Sequence, residues 1–279
     1  MHPALLLLTD SRLPAGGHAH SGGTEQAIAS GAVHDVPTLA AFLRGRLHTT
    51  GTVTAALTAA ACTHAATATL AQAATTATPA RSTPATEPPP IRETLSAEPP
   101  EAPDSGEPSG ASGWGLLDAE VDARTASPAQ RDVSRTQGRL LLRVARRVWP
   151  SPVLDGLAAD SPNPHHPIAL GAAAHAAGAT PEEAALAAAY HAVSGPATAA
   201  VRLLGLDPVA VHGLLASLAP DLAAVTAQAS RRTTHQTSCP AHQDCGQGSC
   251  WAVLPAYSAP ALDLLAERHA TADVRLFVS

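Results

Sequence analysis

Residues 13–25, LPAGGHAHSGGTE, bring glycines, two histidines, a serine and a carboxylate into one short stretch. Two kinds of chemistry are nearly encoded there. Gly17, followed by Gly22, Gly23 and Thr24, has the outline of a phosphate-binding loop. Such a loop needs a lysine for the β- and γ-phosphates, and Gly23 stands in that position without charge. Ala19-His20-Ser21-Gly22-Gly23 resembles a nucleophile elbow with alanine in place of the first glycine. An elbow needs a strand-to-helix turn on an α/β sheet, and this chain offers no sheet. The stretch is therefore read as a glycine-rich loop entering a helix, with Ser21 or Thr24 as the cap and Glu25 in the first turn. A hydrolase using Ser21 is the alternative. His18 and His20 form an H-x-H pair, but a loop leaves their geometry unset and no carboxylate cluster accompanies them.

Soft ligands gather towards the other end. His235, Cys239, His242, Cys245 and Cys250 have the side chains of a zinc, nickel or copper(I) site. Their spacing matches no standard pattern, and Gln, Gly and Pro fill the gaps. Residues 235–250 are read as a flexible exposed loop, with metal binding by these five residues as the alternative. Cys62 sits in an Ala/Thr helix and reads as a small buried apolar side chain.

A third feature is basic. Arg131, Arg135, Arg139, Arg143 and Arg147 recur at steps of four, which on a helix forms a slowly winding stripe. Leu140, Leu141, Val144 and Val148 take the opposite side. Such a stripe is commonly a solvated face, but only Asp132 offsets it within the helix, so it is read as a docking surface or as ion pairs to neighbouring helices. At the C-terminus, Arg275 precedes the bulky pair Leu276 and Phe277. Such a pair is expected to dock, on this protein's own body or on a partner.

The elements that must position these residues read as helices. Asp35 caps a helix with Pro37 near its start, and Leu39, Phe42, Leu43 and Leu47 line one face. An Ala-rich helix follows over about 52–74, and Leu116, Leu117 and Val121 suggest a short one after residue 113. Ser127-Pro128-Ala129-Gln130 is a capping box opening a helix to about Val148, and Thr180-Pro181-Glu182-Glu183 repeats it. That second helix runs towards Leu204, with a kink expected at Ser194-Gly195-Pro196. Another runs from Asp207-Pro208 to Pro220, and a last one spans about 258–270. Residues 75–113 differ from the rest: Pro, Thr, Ser, Glu and Gly dominate, so the segment cannot bury enough surface to offset its ordering entropy. It is read as a disordered insertion between two helices of one domain spanning residues 1–279.

Composition agrees. Of 279 residues, 45% are hydrophobic but only 3% aromatic, and much of the apolar content is alanine, the strongest helix former. The fold class expected is all-α, a globular helical bundle. A formal net charge of −6 argues against a general nucleic-acid binder. The N-terminal apolar run lacks a basic start and is cut short by Asp10 and Arg12, unlike a signal peptide. Thr, His and Gly interrupt every alanine run, so no membrane span is expected. The expected location is the cytoplasm.

Three blocks resemble the urease accessory protein UreF family. Residues 10–33, DSRLPAGGHAHSGGTEQAIASGAV, are similar to its proline- and glycine-rich opening. Ser134-Arg135-Thr136-Gln137-Gly138-Arg139 is similar to its S-x-x-x-G-R helix, and Arg275-Leu276-Phe277-Val278-Ser279 to its R-L-F-x-S ending. The spacing of His166, Gly171, Gly178 and Arg202 between the blocks also fits. His18 stands where the family usually has Phe or Tyr, and Thr24 where it has Leu. The resemblance implies a helical, often dimeric protein that bridges the accessory protein UreD (also called UreH) and the GTPase UreG on apo-urease. It implies no active site and no resident cofactor. It points to His18, Ser21, Gly23, Glu25, Arg135, Arg139, Arg275, Leu276 and Phe277 as partner-binding residues. A chaperone that itself binds nickel through the Cys/His segment is the alternative.

Overall fold

A computed structural model describes residues 2–10, 12–76, 113–237, 251 and 253–278 of the chain. Among these, every regular element is a helix, as the alanine-rich composition predicts. The α-helices are α1 (Ala4–Leu8), α2 (Thr24–Ala29), α3 (Val36–Arg46), α4 (Thr52–Thr76), α5 (Gly113–Arg124), α6 (Pro128–Val148), α7 (Pro152–Asp160), α8 (His166–Ala176), α9 (Pro181–Leu204), α10 (Pro208–Ser217), α11 (Ala219–Thr237) and α12 (Pro260–Ala270).

The expected caps explain where several helices begin. Asp35 accepts from the Thr38 amide at 2.8 Å, and the Thr38 hydroxyl accepts from the Asp35 amide at 3.1 Å. Thr180 and Glu183 form the same reciprocal box at the start of α9. The Ser127 box is only half closed. Its hydroxyl accepts from the Gln130 amide, but the Gln130 side chain donates to Asp263 of α12 at 3.1 Å. Glu267 of α12 adds an acceptor from outside the box, for Ser127 Oγ and for the Ala129 amide. A local signal in the sequence has thus become a tertiary contact between α6 and α12.

One proline expectation changes. Pro220 opens α11 in its first turn, where its missing N–H costs nothing, and α10 has already ended at Ser217. Pro196 lies, as the sequence suggests, inside a helix that continues to Leu204. The expected loop cap also changes: Gly23, with φ at +88°, precedes α2, and neither Ser21 nor Thr24 caps it through its side chain.

A π-helical turn, Leu47–Gly51, joins α3 to α4, and the joined helix is the spine of the core. It packs on α8, α9 and α11. The approach to α8 is very close: a Cβ on Gly171 would lie 2.4 Å from the Thr58 carbonyl oxygen and 2.6 Å from the Ala61 Cβ. Ala55, Ala56, Ala59, Ala60, Ala61 and Ala65 on α4 share one buried cluster with Ala169, Ala172 and Ala173 on α8. Alanine therefore serves here as packing surface as well as helix former. Cys62 is fully buried in this seam, as its neighbours in sequence suggest, and burial pushes its thiol up to about 12. The helix Val36–Ala73 is long and apolar enough to cross a membrane by composition, contrary to the sequence expectation; more than half of its most apolar window is buried by the other helices.

Candidate functional site

The glycine-rich loop is held from below by Arg46, the last residue of α3. Pro196 has no N–H, so the Ala192 carbonyl one turn earlier in α9 lacks its usual helical donor. Arg46 Nε donates to that carbonyl at 3.0 Å, and Arg46 Nη1 donates to the Gly22 carbonyl at 2.8 Å. Burial pushes the guanidinium down to about 10, still charged at neutral pH. Gly22 has φ at +61°, and a Cβ there would lie only 3.1 Å from Pro196 Cγ. The hydroxyl of Thr24 donates to the Pro196 carbonyl at 3.4 Å. A helix-interior proline and a half-buried arginine thus set the path of the loop.

The loop in turn meets the C-terminal tail. Glu25, in the first turn of α2 as expected, accepts from the backbone amides of Leu276 at 2.8 Å and Phe277 at 3.1 Å. His269 of α12 lies beneath: its Nε2 donates to the Phe277 carbonyl at 3.2 Å, and its Nδ1 stands 3.7 Å from Glu25 Oε2. The Val278 amide donates to the Ala19 carbonyl at 2.7 Å. The first and third sequence blocks are therefore one structural unit. Phe277 is half-buried, whereas Val274, Leu276 and Val278 are 81%, 75% and 58% exposed. Beside them, Ala19, Arg202, Leu203 and Arg275 help line an open groove of about 550 Å³.

The middle block does something different. Arg135 donates to Asp118 at 2.9 Å, to Asp122 at 2.6 Å and to the Asn163 carbonyl at 3.0 Å. Asp118 also accepts from the His165 amide at 2.8 Å, and Asp122 binds His165 Nε2 at 2.9 Å. A carboxylate only accepts, so Nε2 carries the proton. The Ser134 hydroxyl accepts from the His166 amide at 3.1 Å. A Cβ on Gly138 would lie 2.0 Å from the Pro164 carbonyl oxygen. The S-R-T-Q-G-R segment thus clamps α6 onto α5 and onto the start of α8. Arg131 joins it, 3.9 Å from Asp122 and donating to the Thr125 carbonyl. Of the two stripe residues expected to meet partners, Arg135 faces into this network and Arg139 is exposed.

The other expected site residues fall as follows. Ser21 is fully buried and its hydroxyl has no hydrogen-bond partner, and no strand precedes it among the described residues. An elbow would present that hydroxyl to substrate on a sheet. His18 lies in a 3₁₀ turn, Gly17–Ala19, and Arg275 is exposed. The backbone of His235 belongs to α11, while Cys239, His242, Cys245 and Cys250 lie outside the described residues, as does most of the insertion. Among the described residues no group of three or more His, Cys, Asp or Glu side chains is arranged to hold a metal ion. Sequence reasoning misses Arg46, His165 and His269. Each has other polar or charged residues beside it in the chain, and nothing local in the sequence singles it out or names its partner.

Known proteins are similar to this chain over nearly its whole length. The UreF family profile matches residues 33–219. A protein of Mycolicibacterium vanbaalenii called urease accessory protein UreF is 38% identical over 275 residues, covering 99% of this chain and 97% of its own. Namesakes in Mycobacterium marinum and Mycobacterium tuberculosis are 38% and 34% identical over the same span, with the same coverage of each chain. That coverage takes in the loop, the α6 clamp and the tail together, and the chain belongs to the UreF family of urease accessory proteins.

Proposed function

We propose that this chain is a non-catalytic scaffold of urease maturation, which joins UreD (UreH) and the GTPase UreG on apo-urease while nickel, the cargo, is delivered to the enzyme. The observation that carries the reading is the junction of loop and tail through Glu25. It holds exposed Val274, Leu276 and Val278 beside Arg202 and Arg275, an apolar patch with a basic rim of the kind protein partners cover. In this reading His18, Ser21, Gly23 and Glu25 shape the patch, Arg275, Leu276 and Phe277 contact the partner, and the protein works in the cytoplasm as a homodimer within the complex. The uncharged Gly23 supports a role in GTP hydrolysis only through a partner. Residues 75–113 are a dispensable insertion in the single domain, and the Cys/His segment is not required for nickel delivery.

The test is capture of purified UreD and UreG by the full chain and by a chain lacking residues 275–279. The truncated chain should keep its helical circular dichroism and lose at least tenfold in affinity for one partner. Equal capture by both chains contradicts the reading, and so does stoichiometric GTP binding by the isolated wild-type protein.

A further inference from the structure

The arginine stripe of α6 divides into two halves with different fates. Arg131 and Arg135 are neutralised by Asp122 and Asp118. Further along, Arg146 pairs with Asp155 of α7 at 2.7 Å. Arg139, Arg143 and Arg147 are exposed and make no ion pair among the described residues. An open groove of about 480 Å³ runs beside them between α6 and α7, and its lining includes Leu142, Ala158, Pro162 and the Arg146–Asp155 pair. The helix dipole accounts for cations in a final turn only. It accounts for Arg147 but not for Arg139 and Arg143, which lie one to two turns earlier.

We propose that Arg139, Arg143 and Arg147 form a second docking surface, for an acidic helix or extended segment of a partner protein. The proposal rests on the scaffold reading above and adds a face separate from the tail. Residues four apart on a helix stand about 6 Å from one another, which suits carboxylates at steps of three or four on a facing helix. Guanidinium groups bind carboxylates in a bidentate fork, so three arginines in register select Asp and Glu. Leu142, Ala158 and Pro162 offer apolar surface for a small side chain beside those carboxylates. Nucleic acid fits less well. No aromatic side chain lines the groove to stack a base.

The test uses the full chain, the triple variant Arg139→Glu/Arg143→Glu/Arg147→Glu and the chain lacking residues 275–279. All three side chains changed in the variant are exposed, so it should keep the wild-type helical signal and melting temperature; a variant that unfolds is replaced by Arg139→Gln/Arg143→Gln/Arg147→Gln in the same assays. Binding to UreD, UreG and apo-urease is titrated separately at two salt concentrations. Affinity for one of them should fall at least tenfold in the triple variant, with loss of its salt dependence, while the tail truncation leaves that particular affinity unchanged. Affinities within twofold of wild type for every partner overturn the proposal. A decaglutamate peptide, a single-stranded oligonucleotide of equal charge and vesicles containing anionic lipid are titrated in parallel. Salt-sensitive binding of the peptide by wild type and not by the variant supports the surface even if no maturation partner binds, an outcome that defeats the scaffold reading alone. Tighter binding of the oligonucleotide or the vesicles than of the peptide overturns the choice of an acidic protein.

Discussion

Glu25 and Leu276, 251 positions apart in sequence, are joined by a hydrogen bond of 2.8 Å from the Leu276 amide to the Glu25 carboxylate. The same carboxylate takes the Phe277 amide, so a single side chain fixes two consecutive residues of the tail. Glu25→Ala should therefore free the tail without unfolding the bundle. Hydrogen bonds to a charged group contribute roughly 1.5–3 kcal/mol each when well formed, and less near a chain end, so the expected loss is about 1–2 kcal/mol. Amide hydrogen exchange is the direct readout. Protection at Leu276 and Phe277 should fall more than tenfold while amides in α4 keep theirs, and unchanged protection at the tail counts against the contact.

Gly138→Ala tests the clamp of α6 on α8. The new methyl would sit 2.0 Å from the Pro164 carbonyl oxygen, a backbone atom that cannot turn aside. Alanine normally strengthens a helix interior by about 1 kcal/mol over glycine, so stabilisation is the outcome expected without the close approach. Overpacking of this kind costs roughly 1–3 kcal/mol, which reverses the sign. Thermal denaturation should show a melting temperature lowered by several degrees.

Arg135→Lys isolates the ion network in the same clamp. Lysine keeps the charge but cannot span Asp118, Asp122 and the Asn163 carbonyl as the guanidinium does. Asp118, nearly buried, would lose its cationic hydrogen-bond donor. A loss of about 1–3 kcal/mol in urea denaturation is expected, and a change under about 0.3 kcal/mol would show the network to be dispensable.

Acid should destabilise the fold well above the carboxylate range. His166 and His191 stand with ring centroids 6.1 Å apart where α8 meets α9. Both residues keep some exposure, yet burial pushes His166 down to about 3 and His191 to about 4, with the neighbouring His191 and His20 charges adding to the effect on His166. An unfolded histidine titrates near about 6.5. Below that pH the unfolded chain binds protons that the folded chain refuses. The stability contribution is thus complete above about pH 6.5 and is lost as pH falls towards about 4. The slope is roughly 1 kcal/mol per pH unit for each histidine. Denaturation midpoints followed from about pH 7 to about pH 4.5 should decline along that slope, and His166→Asn/His191→Asn should flatten it. A wild-type midpoint constant over that range contradicts the assignment.

Helix starts are the most legible part of the fold. Asp35, Ser127, Thr180 and Asp207 act through neighbours within three residues, so local sequence suffices to read them. Pro196 and Pro220 are harder, because a proline's effect depends on what lies next to it in space. Arg46 supplies the donor that keeps α9 intact around Pro196, and that donor comes from 146 residues earlier in the chain. The two terminal blocks are each visible in the sequence, but their junction through Glu25 is not, since nothing in either stretch names the other. The basic stripe is compatible, as sequence, with a solvated face, a docking surface or internal ion pairs. The structure divides it, with the N-terminal half internally paired and Arg139, Arg143 and Arg147 left exposed.

The central claim is that the surface held by Glu25 serves urease maturation, and urease activity in cells is its most direct test. A strain lacking this chain, supplied with limiting nickel, would be complemented with wild type, with Glu25→Ala and with the chain lacking residues 275–279, each at matched protein level. Wild type should restore urease activity and the nickel content of purified urease, and both variants should restore less than a tenth of either. Full restoration by the truncated chain would contradict the account.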